Sequence, residues 1–280
     1  MRTTSEAPVA EPQPVKRTLR SGGAADMATA TAVEIAGLVH SFGGLEVIAR
    51  MDVSLNAGEV RGIVGPSGCG KSTLLELVSG LREPSAGAIA VHGSTSARDR
   101  LASCAFMPQR DLLLPWLSAI DNAAIALRNR GASRREARSA AHPLFERFGL
   151  AGFEGTRPAE LSGGMRQRIA FLRTLLAGKP VLLLDEPFAS LDAITRAEMQ
   201  EWLAEALAAE SRSVILVSHD VEEALYLSDR VTVLSPRPAR AVAEISAPAP
   251  RARPRLESVT DPAFTAARER ALEALTEASA

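Results

Sequence analysis

The stretch GPSGCGKST, from Gly65 to Thr73, decides how this 280-residue chain folds. It fits the pattern G-x-x-x-x-G-K-[ST], in which glycine-rich backbone N–H groups surround phosphates, a lysine reaches the outer phosphates and a hydroxyl binds Mg²⁺. The residues before it, Val60 to Val64, are short and β-rich, and Lys71 to Val78 has apolar residues at helical spacing. A strand, a loop and a helix N-terminus therefore follow one another, which is the arrangement that an anion-binding loop requires.

The loop residues are the first candidate ligands of a nucleotide. They are Gly65, Pro66, Ser67, Gly68, Cys69, Gly70, Lys71, Ser72 and Thr73. Among them Ser72 supplies the hydroxyl that the pattern assigns to the metal ion. The expected ligands are therefore ATP and Mg²⁺.

Composition narrows the class of protein. Hydrophobic residues make up 46% of the chain and charged residues 23%, which is ordinary for a globular protein with one sizeable core. A formal net charge of -1 provides no overall attraction to nucleic acid, so no nucleic-acid partner is expected. Two cysteines, Cys69 and Cys104, argue against a disulfide framework and favour a reducing compartment. No apolar run approaches the roughly 18 to 20 residues of a transmembrane helix, so we expect a cytoplasmic protein.

The chain divides into three parts by composition. Residues 1–30 are rich in Ala, Pro, Thr and Ser and are expected to be a disordered tail. Residues 31–245 carry all the motifs and form the expected catalytic domain, with a helical subdomain at about 110–176. Residues 246–280 begin with the Pro/Arg-rich run SAPAPRARPRL and continue into a short helix, for which Asp261 is the cap and Pro262 the first residue.

Alternating strands and helices predict an α/β fold. VEIAGLVHSF, VIARMDVSL and GAIAVHG indicate an antiparallel β subdomain, and ASCAFMP indicates a further strand. Helices are predicted for Leu117 to Arg130, Ser133 to Phe148 and about Ala193 to Ala208. VLLLD and SVILVS are continuous apolar runs typical of a buried parallel sheet. The predicted fold is a phosphate-loop NTPase core with an antiparallel β subdomain and a helical subdomain.

Two further segments carry chemistry. In VLLLDEP, Val181 to Pro187, a strand ends at Asp185, where a carboxylate would lie near the phosphate loop and suit Mg²⁺. The next residue, Glu186, is a candidate general base toward the attacking water. In LSGGMRQR, Leu161 to Arg168, Ser162 can cap a helix whose exposed N–H groups and small glycines admit a phosphate.

Together these motifs resemble those of ATP-binding cassette (ABC) transporter ATPases, over roughly Val33 to Ile245. The resemblance implies several roles. Phe42 would stack on adenine, Gln109 would touch the metal and relay to membrane subunits, and His219 would hydrogen-bond the γ-phosphate. Ser162, Gly163 and Gly164 match the signature that contacts the γ-phosphate held by the other subunit, and Asp192 resembles an aspartate at the dimer seam.

The resemblance also implies partners. They are a second copy of the chain in a head-to-tail homodimer, permease subunits, and indirectly a solute-binding protein, with the ATPase peripheral on the cytoplasmic face of the membrane. The stretches MPQRDLLLPWLSAIDNAAIALRNRG and SHDVEEALYLSDRVTVLSPRPAR resemble importers of nitrate, sulfonates, taurine and thiamine-precursor pyrimidines. Trp116 is then a candidate permease contact. Because Cys69 lies within the phosphate loop, we predict that a thiol reagent blocks ATP binding.

Two other functions remain open at this point. One is a non-transport ATPase of the same superfamily that acts on ribosomes or DNA, although a single compact cassette disfavours it. The other is a nucleotide-gated module that signals through a membrane partner without moving solute. The same binding and dimerisation chemistry serves an importer and such a signalling module, so solute uptake in a deletion strain separates these two functions.

Overall fold

The computed structural model of the protein describes residues 30–189, 191–209, 211–248 and 254–279. Residues 1–29 of the expected tail and residues 249–253 of the expected linker lie outside the described residues. The strands are β1 (Thr31–Phe42), β2 (Leu45–Asn56), β3 (Val60–Val64), β4 (Ala86–Val91), β5 (Cys104–Met107), β6 (Val181–Asp185), β7 (Ser213–Ser218), β8 (Arg230–Leu234) and β9 (Ala241–Ser246). The α-helices are α1 (Lys71–Ser79), α2 (Ala97–Ser103), α3 (Ala119–Ala123), α4 (Ile125–Asn129), α5 (Arg134–Arg147), α6 (Gly163–Leu176), α7 (Ala193–Ala208), α8 (Val221–Leu227), α9 (Arg255–Val259) and α10 (Pro262–Glu277).

The strands form two sheets. The smaller sheet is antiparallel, with the order β2-β1-β4. The larger sheet has the order β5-β6-β7-β3-β8-β9 and is parallel except for β9, which runs antiparallel to β8 at the edge. The predicted α/β fold with an antiparallel sheet and helices is confirmed.

The larger sheet is buried on both faces because alternate side chains of its strands enter different hydrophobic clusters. On β6, Leu182 and Leu184 pack into a cluster with the helices that follow β5, whereas Val181 and Leu183 pack into a cluster with α1 and the antiparallel sheet. All five residues of β3 and of β6 are buried. This is why β6 begins with the continuous apolar run VLLL rather than with an alternating pattern.

Three predicted elements differ in the structure. The predicted helix Leu117 to Arg130 is two helices, α3 and α4, which begin only at Ala119 and are separated at Ala124, whose φ is -83° and ψ is 0°. The predicted strand in ASCAFMP begins only at Cys104, because the first two residues of that stretch complete α2. The C-terminal helix α10 does start at Pro262 with Asp261 as cap, but it extends to Glu277 and is not short.

None of the helices in the described ranges combines the length and apolar character that crossing a bilayer requires.

Candidate active site

Four strand ends supply the residues expected to act on a nucleotide. Gln109 lies just beyond β5, Glu186 follows β6, His219 follows β7, and β3 runs into the phosphate loop. These four strands are consecutive parallel neighbours in the sheet, so their carboxyl ends open at one edge. Ligands of open α/β sheets bind at this edge.

A cleft of about 380 Å³ lies between this edge and the antiparallel sheet. Its lining residues are Phe42, Leu45, Val47, Ser67, Gly68, Gly70, Lys71, Ser72, Thr73, Gln109, Glu186 and Arg237. The cleft therefore joins the predicted aromatic, most of the phosphate loop and two of the predicted catalytic residues.

The phosphate loop is held in shape by its own lysine and glycines. The Lys71 ammonium donates to the carbonyl oxygens of Gly65 at 2.8 Å and Pro66 at 3.1 Å, and the side chain is 4% exposed. Gly70 has a φ of 123°, and a Cβ there would come within 2.8 Å of Val47. Only glycine fits this position without displacing the β2 side chain. Because no side chain caps α1, its first N–H groups remain available to an anion in the cleft.

Glu186 is the meeting point of the predicted catalytic residues. Its Oε2 accepts a hydrogen bond from Gln109 Nε2 at 3.2 Å and lies 3.1 Å from His219 Nδ1. Its Oε1 lies 3.6 Å from the Lys71 ammonium. The backbone of Glu186 has a φ of 42°, and its N–H donates to Val217 O at 2.9 Å. A left-handed glutamate costs about 1–3 kcal/mol and persists only where the surroundings hold it, as they do here.

Asp185, one residue earlier, is a buried carboxylate with an unused oxygen. The residue is 4% exposed, and its Oδ1 has no hydrogen-bond partner. Burial raises the pKa of Asp185, and a hydrogen bond from Ser72 opposes the rise. A carboxylate beside a hydroxyl at the mouth of a phosphate site fits a cation that prefers oxygen ligands.

Phe42 faces the cleft from the end of β1 and is 40% exposed. Its ring packs edge-on against His40, with centroids 4.7 Å apart, and the Arg82 guanidinium lies 5.0 Å from the ring centroid. The ring is therefore held in place while part of it remains open to a planar ligand. The sequence interpretation did not identify Leu45 and Val47, the apolar neighbours of Phe42 in the cleft lining.

Cys69 departs from the sequence prediction. Its side chain is 1% exposed and belongs to the hydrophobic cluster under the antiparallel sheet. Burial raises the pKa of the Cys69 thiol, which disfavours the reactive thiolate. Burial of the thiol therefore disfavours the prediction that a thiol reagent blocks ATP binding through Cys69, and that outcome stays a prediction.

The remaining predicted residues form a second group that does not line the cleft. Ser162 caps α6 by accepting from Met165 N–H at 3.2 Å, and Asp192 caps α7 through Thr195 N–H at 3.1 Å. The two caps are adjacent, since a Cβ on Gly164 would lie 3.1 Å from the Thr195 methyl. Within one chain, the LSGG segment and Asp192 therefore do not line the cleft that contains the phosphate loop.

Arg237 is a cleft residue that sequence reasoning missed. It lies between β8 and β9, and its Nε donates to Gly68 O at 3.1 Å. The two residues are far apart in the chain, and no local pattern marks the arginine. Only the parallel pairing of β3 with β8 brings the loop that carries it to the phosphate loop.

Comparison with known proteins agrees with this geometry. The family model described as ABC transporter matches residues 48–189. The formylaminopyrimidine import ATP-binding protein ThiZ of Halalkalibacterium halodurans is 43% identical over 72% of this chain and 78% of its own length. The aliphatic sulfonates import ATP-binding protein SsuB 1 of Rhodococcus jostii is 44% identical over 72% and 79%. The taurine import ATP-binding protein TauB of Burkholderia pseudomallei is 42% identical over 73% and 78%.

The fold of this chain is also similar to that of a solved ATP-binding cassette. A dimeric ATP-binding cassette in a post-hydrolysis state, bound to ADP and Pi, superimposes with a TM-score of 0.68 at 25% identity. The match covers 78% of this chain and 99% of that cassette.

Proposed function

This chain belongs to the ABC transporter family and is an ATPase that energises a solute importer, and we propose that the solute is a sulfonate such as taurine or a thiamine-precursor pyrimidine. The proposal is carried by the three import ATP-binding relatives at 42 to 44% identity. Nitrate, the other solute of the sequence prediction, remains a prediction. Uptake of each labelled solute by the host and by a strain lacking this gene tests the proposal. Unchanged uptake of all of them would contradict it.

For the ATPase site we propose that Lys71 and the phosphate loop hold the β- and γ-phosphates, and that Glu186 accepts the proton of the attacking water. The observation that supports this is the contact of Glu186 with Gln109, His219 and Lys71 in one cleft. A base must lie within hydrogen-bond reach of the water, and the γ-phosphate next to Lys71 would place that water beside Glu186. His219 would then contact the γ-phosphate, and Phe42 would stack on adenine.

We propose Mg²⁺ as the metal, held by Ser72, Gln109 and Asp185. The unpartnered Oδ1 of Asp185 supports this assignment, since an unbonded buried carboxylate oxygen is costly without a cation. Bound Mg²⁺ would neutralise charge on the β- and γ-phosphates. Asp185→Asn is expected to abolish the Mg²⁺ dependence of ATP affinity, measured by calorimetry with and without Mg²⁺. Equal Mg²⁺ dependence in both proteins would refute the assignment.

We propose a head-to-tail homodimer, because the LSGG segment and Asp192 are separated from the cleft within one chain. A second copy would bring its Ser162, Gly163 and Gly164 to the γ-phosphate in this cleft. Helix N-terminal N–H groups beside two glycines suit that task. Light scattering in ATP, with Glu186→Gln to prevent turnover, should show a mass of two chains. A monomer under these conditions would count against the sandwich.

We also propose that a permease docks beside the cleft, which would place the ATPase peripherally on the cytoplasmic face of the membrane. A second cleft of about 530 Å³ includes Gln109 and Leu112, and both Leu112 and Trp116 expose more than half of their surface. Trp116→Ala should weaken co-purification of the permease and leave the hydrolysis rate of the isolated chain unchanged. Phe153→Ala, 42% exposed in the wild type, is the control. We further propose that residues 31–245 form the ATPase domain, with a helical subdomain at about 110–176. A solute-binding protein would contact the permease and not this chain.

A further inference from the structure

Two buried polar side chains lie behind the His219 turn and have no part in the site described above. Gln200 of α7 is 2% exposed and Glu223 of α8 is 5% exposed. Gln200 Nε2 donates to Glu223 Oε2 at 3.1 Å. Burial raises the pKa of Glu223 to about 7, and hydrogen bonds from Ser218 and Gln200 oppose the rise. Buried polar groups are retained only with partners, so the positions of both side chains are tightly constrained.

On its inner side this pair is joined to the backbone that carries His219. The Ser218 hydroxyl lowers the pKa of Glu223 and accepts a hydrogen bond from Asp220 N–H at 2.9 Å. Asp220 caps α8 through the N–H groups of Glu222 at 2.9 Å and Glu223 at 3.3 Å. The residues on both sides of His219 are thus bonded to the group that contains Glu223. A displacement of Glu223 would move the turn that presents the imidazole to Glu186.

On its outer side the pair is joined to the C-terminal segment. Arg255, the first residue of α9, donates through Nε to Gln200 Oε1 at 2.8 Å. Its backbone N–H also donates to Glu201 Oε1 at 3.2 Å. The amide of Gln200 therefore points its oxygen at a guanidinium and its nitrogen at a carboxylate. Each end of the amide has a partner of the complementary kind, so one rotamer is selected.

Helix α10 keeps this arginine in place. Its Phe264, Ala267 and Ala271 are at most 1% exposed and pack into the core next to α8 and β9. Arg268 of the same helix donates to Glu222 Oε2 at 3.2 Å, and Arg255 also pairs with Glu222. Arg268 thus shares one partner with Arg255 but does not make the hydrogen bond to Gln200 that Arg255 makes, so it is a matched control.

The residues that connect the C-terminal segment with the His219 turn are named the C-terminal relay: Ser218, Glu223, Gln200 and Arg255. We propose that the C-terminal relay positions His219 at Glu186, so that the segment after β9 sets the rate of ATP hydrolysis without touching the nucleotide. The effect on the rate of hydrolysis rests on the role proposed above for His219. The positioning of the His219 side chain by the relay does not depend on that role.

The test compares Arg255→Ala and Gln200→Met with Arg268→Ala in the full chain. The wild-type Arg255 side chain is 28% exposed, so its truncation leaves no core cavity, and Gln200→Met conserves volume. Both relay variants are expected to lower kcat about fivefold, the equivalent of one hydrogen bond, with KM for ATP within twofold of wild type. Arg268→Ala is expected to keep the wild-type kcat. Melting temperatures confirm that each variant is folded.

The second readout is the NMR signal of the His219 imidazole. The chain has four histidines, so the imidazole signals are few. The His219 signal should shift in both relay variants and stay in place in Arg268→Ala. In a His219→Ala background the relay substitutions should cost nothing further, because residues that act through one group are not additive. A His219 signal that is unchanged in both relay variants overturns the proposal. If the signal moves while His219→Ala keeps full activity, the relay stands and the assigned role of His219 fails.

Discussion

The substitution Glu186→Gln tests the chemistry of the site most directly, because it removes one charge and preserves the size of the side chain. An amide cannot accept the proton of the attacking water. General-base catalysis contributes about 10²- to 10⁴-fold, so kcat should fall by that factor, which corresponds to roughly 3–5 kcal/mol of activation free energy. The chain should still fold and bind ATP, since Glu186 makes its contacts in the cleft and not in the core.

ATP affinity should rise in the same variant. Glu186 Oε1 lies 3.6 Å from the Lys71 ammonium. At an effective dielectric constant near 20, two unit charges at that separation attract by about 5 kcal/mol. In Glu186→Gln this carboxylate no longer pairs with the lysine and no longer repels the phosphates. Hydration of the free site offsets most of this energy, and we expect a residual gain of about 1.4 kcal/mol, a tenfold lower Kd.

Phosphate release measures kcat, and calorimetry with Mg²⁺ and ATP measures Kd. Glu34→Gln, which neutralises an exposed carboxylate on β1, is the control and should match wild type in both assays. A variant that retains a tenth or more of the wild-type kcat would refute Glu186 as the base. A weaker affinity would refute the charge argument and leave the assignment of the base intact.

Three further predictions follow from burial and charge. Iodoacetamide should leave Cys69 unlabelled in the native protein and label it only in urea, as mass spectrometry can show, because the thiol is buried and its pKa is raised. Asp121→Asn should lower the free energy of unfolding at pH 7 by about 2 kcal/mol, measured in urea, because hydrogen bonds from Arg138 and Arg134 hold the pKa of Asp121 well below its usual range. Because the pKa of Asp121 is lower in the folded than in the unfolded chain, its charge stabilises the fold fully only above the unfolded pKa. The difference between the two proteins should therefore shrink as the pH falls below about 4. Phe264→Ala should cost about 3–5 kcal/mol and lower the melting temperature, because the ring is fully buried under α10.

Each of these has an outcome that contradicts it. Labelling of native Cys69 would show that the sulfur is accessible. A cost for Asp121→Asn that stays constant from pH 7 to pH 3 would show that the charge is not its source. For Phe264→Ala the control is Phe153→Ala, 42% exposed in the wild type, and equal melting temperatures for the two variants would show that α10 does not contribute to the core.

Elements whose signals lie within a few neighbouring residues were predictable from the sequence. The helix α7 follows its cap Asp192 and spans the predicted residues 193–208, and β7 coincides with the run SVILVS. Caps and apolar runs act over one or two turns, so the sequence contains the whole cause. The predicted helix Leu117 to Arg130 starts too early, because the side chain of Asn122 donates to the carbonyl oxygens of Leu114 and Leu117 in the loop before α3.

The candidate site divides in the same way. The phosphate loop is contiguous, and its strand, glycines, lysine and helix could be named from the sequence with their chemistry. That Glu186 bonds both Gln109 and His219 follows from the order of β5, β6 and β7 in the sheet, which no local pattern specifies. Likewise, the pairing of β3 with β8 in this sheet brings Arg237 to Gly68.

The sequence by itself determined the class of the fold, the nucleotide-binding loop and the family, because each is written in short contiguous motifs. Only the tertiary structure decided that Cys69 is buried, which residues surround Glu186, and that Arg255 of the C-terminal segment donates a hydrogen bond to Gln200. The physical reason is that backbone propensity and capping act between chain neighbours, whereas burial and side-chain pairing depend on packing between residues far apart in the chain.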